Sequence, residues 1–270
     1  MPGAFVQRMR SYELFFLIRL RRGFKRGFLS AIKYSFSALL ILLFFPKKQK
    51  MLMLFYAWFR KIDDIVDGEE NVPAGFTVES YFDQKRCIVN GEGRGRLLPE
   101  DILYSCPLKF FEAEGINMDQ EIRYILTSMI TEFFRKGKFI SRQELENQMA
   151  LQDRSVLKMI SKASGSSTRL CENGMCGIFS KIDSLMDIRE DVKKGILNIP
   201  LEDAVEYGFS AEKIMTADDL FAIPRFKEWY RKESRDSLRK WEEMRRFIKD
   251  CPEGFLLRII LNTTKVEIVY

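Results

Sequence analysis

Apolar residues in this chain recur every three to four positions over long stretches, while the strict alternation of a half-buried strand is scarce. That periodicity restricts the chain to amphipathic helices, each burying one stripe against its neighbours. Its 8 prolines and 16 glycines cluster at 68–75, 91–99 and 250–254, where loops between helices are expected. The 46% apolar content is enough for a sizeable core. The fold class expected is all-α. Within it, Ser141-Arg-Gln-Glu144 reads as a capping box opening a helix. Residues 227–250 read as a long amphipathic helix burying Trp229, Leu238, Trp241 and Phe247.

The charge is unevenly placed. Residues 1–28 carry Arg8, Arg10, Arg19, Arg21, Arg22, Lys25 and Arg26 against the single acid Glu13. That is a net +6, so the other 242 residues sum to zero. Phenylalanines and leucines interleave with the basic residues, as in segments that lie on anionic membrane surfaces. A first core helix or a solvated arm accounts for the pattern equally well. No basic stripe occurs elsewhere, so no nucleic-acid partner is expected. The run SFSALLILLFF at 35–45 is eleven residues long, against the roughly 20 that a spanning helix needs, and is expected to be a buried core helix. The organisation expected is a basic amphipathic segment over 1–28 and one domain over 29–270.

Histidine is absent, which excludes Ser-His-Asp and Cys-His devices and histidine-based zinc sites. The five cysteines show no CxxC spacing and read as reduced thiols of a cytoplasmic protein.

Two acidic stripes remain to be explained. In FYAWFRKIDDIVDGEE, residues 55–70, Tyr56, Arg60, Asp63 and Asp67 fall at helical spacings on one face. In FSKIDSLMDIREDVKKGILNIP, residues 179–200, Asp183, Asp187 and Asp191 recur every four residues, with Ser180 before them and Lys194 after. Like charges at that spacing repel. Surface pairing, Arg60 with Asp63 and Lys193 or Lys194 with the second stripe, is the plainer account. The chemical account is a hard cation: Mg²⁺ takes carboxylates together with phosphate oxygens and water. Carboxylates so loaded draw charge from a diphosphate leaving group.

On these residues the chain resembles the squalene/phytoene synthase family. YAWFRKIDDIVDGEE is similar to the family's YAxCRxxDDxVD motif, and DIREDVKKGILNIPLEDAVEYGFS to its RDVxEDxxRGRxYLPxDxLxxxGLS motif. SFSALLILLFFPKKQK is similar to its SF…LLP…R segment. The resemblance implies a single-domain isoprenoid synthase helical bundle with a central apolar cavity. It implies Mg²⁺-dependent ionisation of an allylic diphosphate and head-to-head joining of two prenyl chains, C15 or C20. By position, Asp63 and Asp67 would form one metal pair and Asp187 and Asp191 the other, with Asp183 a further ligand of the metal or the diphosphate. Arg60, Tyr56, Lys194 and Ser180 would face the diphosphate. NADPH use is left open. A cytoplasmic protein, peripheral on the inner face of a membrane, is the setting implied.

The sequence departs from the family pattern at several positions. Ser180 and Asp183 stand for its Gln and Asn, Met186 for an Arg, and Ile196 and Asn198 for the Arg and Tyr of RGRxYLP. Asp183, Asp187 and Asp191 also share the spacing of the metal motif in terpene cyclases. A lyase acting on one prenyl diphosphate therefore stays open, as does a silent relative that binds a lipid or a partner.

Overall fold

The computed structural model describes residues 2–25, 45–92, 97–165, 176–214 and 216–249. The described residues are mostly helical and contain no strand, as the periodicity requires. The apolar run at 35–45 lies outside them apart from Phe45, as do Cys171, Cys251 and the 250–254 loop. The chain divides into two compact units.

The first unit comprises residues 1–65, 69–123 and 162–165. It contains α1 (Pro2–Lys25), most of α2 (Lys47–Val66), α3 (Val78–Asn90), α4 (Ile102–Ala113) and the start of α5 (Asp119–Phe134). Helix α2 buries Met51, Leu54, Phe55, Trp58, Ile62 and Ile65, a stripe of the expected period. Phe55 stacks on Phe111 of α4 at 6.0 Å, and Trp58 meets Tyr104 at 4.9 Å. The described part of the basic N-terminal segment is a packed helix. Phe15 and Ser11 of α1 are fully buried, and the Ser11 hydroxyl donates to the Ile102 carbonyl. Thr77 and Ser80 open α3 with a capping box.

A polar knot stabilises this unit. Lys85 is fully buried, 2.5 Å from Asp101 and 3.5 Å from Glu100, with its ammonium over the Tyr81 ring. Asp101 also accepts from the Trp58 indole at 3.0 Å and from the Leu98 amide at 2.8 Å. Burial and the two neighbouring carboxylates push the Tyr81 phenol up.

The second unit comprises 66–68, 124–161 and 166–270. Its helices are the rest of α5, most of α6 (Arg142–Ser164), α7 (Ile178–Met186), α8 (Ile188–Lys193), α9 (Leu201–Tyr207), α10 (Ala217–Ala222) and α11 (Phe226–Lys249). The Ser141–Glu144 capping box opens α6 as expected. Helix α11 packs on α7 and buries Phe226, Trp229, Tyr230, Trp241 and Met244, so the amphipathic C-terminal segment serves the core. Its polar tips are satisfied: the Trp229 indole donates to Asp203 at 2.9 Å and the Tyr230 hydroxyl to the Leu185 carbonyl at 3.0 Å. The Phe247 side chain lies outside the described residues. Among the described residues, Cys87, Cys106 and Cys176 are free thiols.

Removing one partner of a buried ion pair strands the other as an uncompensated charge. Lys85→Ala is therefore expected to destabilise the protein by about 3–5 kcal/mol. Urea unfolding checks this as a lower midpoint at unchanged slope.

Candidate functional site

The second acidic motif and the last aspartate of the first belong to the same compact unit. Helix α2 ends at Val66, and Asp67 lies in the turn that follows. The Lys136 ammonium donates to the Val66 carbonyl, and Lys194 donates to Asp67 at 2.6 Å. Lys194 caps the C-terminal end of α8, where a cation suits the exposed carbonyls. Gly195 follows it at φ +76°, a left-handed turn that glycine adopts without penalty. Its carbonyl accepts from the Gly137 amide at 2.7 Å, which ties the end of α8 to the turn after α5. Residues 66–68, 132–137 and 191–198 thus meet.

Asp191 sits at the centre of this meeting point. The Asn198 amide donates to it at 3.0 Å, and the Asn198 oxygen accepts from Arg135. Arg135 is buried, and it also donates to the Leu197 carbonyl at 3.3 Å and reaches Glu132 at 3.4 Å. A relay Glu132–Arg135–Asn198–Asp191 results. Burial pushes the Asp191 carboxyl up to about 8, helped by the charges of Glu132, Asp187 and Asp67 and opposed by the Asn198 bond. Glu132 is also pushed up, chiefly by burial. Four carboxylates and three cations therefore share one neighbourhood. Asn198, where the resembled family carries tyrosine, joins two of them.

The expected continuous stripe of Asp183, Asp187 and Asp191 needs a correction. Helix α7 ends at Met186 and α8 begins at Ile188, with Asp187 between them at φ −95° and ψ 10°. The bonds Asp187 N–H to Asp183 and Asp191 N–H to Asp187 keep the α pattern, at 2.8 and 2.9 Å. Glu190 N–H also reaches the Asp187 carbonyl at 2.8 Å, tightening that turn towards the 3₁₀ form. The stripe survives across a break. Asp183 and Asp187 are exposed and Asp191 half-buried.

Ser180 donates its hydroxyl to Asp153 of α6 at 2.6 Å. The same carboxylate accepts from the amides of Gly177, Phe179 and Ser180 at 2.7, 2.9 and 3.2 Å. Asp153 thereby satisfies the otherwise orphan amides that open α7. Burial nonetheless holds its carboxyl up at about 6. Gly177 has φ +96° and passes so close to α6 that a Cβ would stand 3.3 Å from the Ala150 nitrogen.

In the first unit, Tyr56, Arg60 and Asp63 occupy the less buried stripe of α2, as their spacing predicts. Tyr56 is exposed. Arg60 pairs with Asp63 through one guanidinium nitrogen and stands 3.5 Å from the buried Asp64 through another. The helix therefore forms the Arg60–Asp63 pair that the plainer account describes.

Sequence reasoning passed over Glu132, Arg135 and Lys136. Their signal was available: positions i, i+3 and i+4 before Gly137 gather one acid and two cations at the end of a helix. Among the described residues, no three carboxylates or thiols close on one point at metal-ligating distance. The donors near Asp191 are all hard oxygens, the kind Mg²⁺ takes in preference to softer metals.

No protein-family model matches the chain, and a search of curated proteins finds no match.

The Asp191 carboxyl rises from an ordinary 3.8 to about 8 on folding. Folding therefore binds its proton more tightly, and the stability this lends is full below about pH 4 and lost as pH climbs through 8. Asp191→Asn should match the wild type near pH 4.5. At pH 9 it should be more stable by on the order of 2–4 kcal/mol, as read by urea unfolding at both values.

Proposed function

We propose that this protein is a Mg²⁺-dependent enzyme of the squalene/phytoene synthase kind, ionising an allylic prenyl diphosphate and joining two prenyl chains head to head. One observation carries the reading: Asp67 from the first motif and Asp191 from the second share one charged cluster, with Lys194 of the second motif on Asp67. The reading brings with it an isoprenoid-synthase arrangement of the helices around an apolar cavity, and a peripheral place at the cytoplasmic face of a membrane. No helix among the described residues is long and apolar enough to cross one.

In this reading Asp67, Asp187 and Asp191, with Glu132 beside them, hold the metal. Bound Mg²⁺ supplies positive charge to the diphosphate oxygens. Lys194 exchanges its carboxylate partner for a phosphate oxygen, and Lys136 adds a second cation. The carbon–oxygen bond breaks with its electron pair on the departing diphosphate, the double bond of the second chain adds to the allylic cation, and loss of a proton from the coupled carbocation gives the neutral joined product. The Arg135–Asn198 relay holds one Asp191 oxygen, leaving the other for the metal. Asp63, Arg60, Tyr56, Asp183 and Ser180 are assigned here on their motif positions.

A second reading, a silent relative that binds a lipid or a partner, is favoured by the same ion pairs. Lys194 on Asp67, Arg135 beside Glu132 and Arg60 on Asp63 each give an acid a protein cation without any metal.

Thermal melting with a non-hydrolysable prenyl diphosphate analogue separates the two. The enzyme reading expects a rise of about 5–10 °C at a hundredfold excess over Kd, and only with Mg²⁺ present. An unchanged Tm, or one raised equally without Mg²⁺, sinks it. Asp187→Ala should keep the wild-type fold and lose turnover of C15 and C20 diphosphates by mass spectrometry.

A further inference from the structure

Helix α1 is held from one side. Its Ser11 and Phe15 are buried, Gln7 donates to the Ser105 hydroxyl of α4, and α1 packs along α4. Among the described residues, the opposite face is less covered. Val6, Met9 and Leu17 on it are 49%, 52% and 49% exposed. At 100° per residue they lie within about 80° of one another, along about 16 Å of helix. Arg10 and Glu13 are exposed on the same face.

We infer that this outward face of α1 docks on an anionic lipid surface, with Val6, Met9 and Leu17 entering the headgroup boundary. Two observations on the first unit carry it, and neither depends on the diphosphate reading. The first is charge. The net +6 of the whole chain is concentrated in residues 1–28, so an anionic surface is drawn to this segment before any other. The second is the shape of the exposed apolar set. Among the described side chains of α1, Val6, Met9 and Leu17 form one exposed apolar stripe. A bilayer boundary needs no shape complementarity and accepts a thin stripe. Because the inner face of α1 is committed to α4, the helix presents this stripe as a fixed edge of the unit. Deleting the segment would remove Phe15 from the core, so point substitutions are the informative variants.

The test is co-flotation of the full chain with phosphatidylcholine vesicles, either pure or carrying about 30% phosphatidylserine. The wild type should bind the anionic vesicles and release as salt rises, with little binding to the neutral ones. Val6→Gln/Met9→Gln/Leu17→Gln, whose positions are solvent-facing, should keep the wild-type melting temperature and lose binding at least about tenfold. Arg10→Glu should weaken it further towards the neutral-vesicle level. Equal binding by the triple variant, or equal binding to neutral and anionic vesicles, overturns the inference. Wild-type retention on immobilised polyglutamate without vesicle binding overturns it too, and assigns the face to an acidic protein.

Discussion

The second unit depends on a problem of charge: acids placed close together need cations close by. Lys194 answers it for Asp67 across 127 residues of sequence. Arg135 answers it for Glu132 and reaches Asp191 through Asn198. These contacts, with the backbone bond between Gly137 and Gly195, gather three separate segments at one place. The cost remains visible in the elevated carboxyl of Asp191. Buried ionic groups of this sort seldom add stability in proportion to their number. In the proposed reading they stand ready for an anionic ligand and its metal.

Much of the fold was legible in the sequence because helices declare themselves locally. The stripe Met51, Leu54, Phe55, Trp58, Ile62 and Ile65 is readable at period 3.6, and so is the complementary stripe of Tyr56, Arg60 and Asp63. The Ser141–Glu144 box and the α11 core face needed only local rules. The break at Asp187 was harder. The backbone pattern hardly changes there, and an extra bond of the 3₁₀ kind is not written in residue spacing.

The candidate site was half legible. Aspartates at four-residue spacing stand out, whereas Glu132, Arg135 and Lys136 look like an ordinary charged end of a helix until tertiary contacts bring Asn198 against them. Asn198 illustrates why. As a departure from the resembled motif it reads as a loss, yet its amide both donates and accepts, and so joins an arginine to an aspartate. Asp153 escaped notice for the related reason that its partners are backbone amides, which carry no sequence signature.

That last carboxylate has a consequence for how the chain is made. The amides that begin α7 close on an acceptor from α6, twenty-four residues earlier. On the ribosome the acceptor emerges first, so the donors meet a waiting partner as they leave the exit tunnel. A circular permutant that synthesises α7 ahead of α6 would reverse this order and leave the nascent first turn bare until translation caught up.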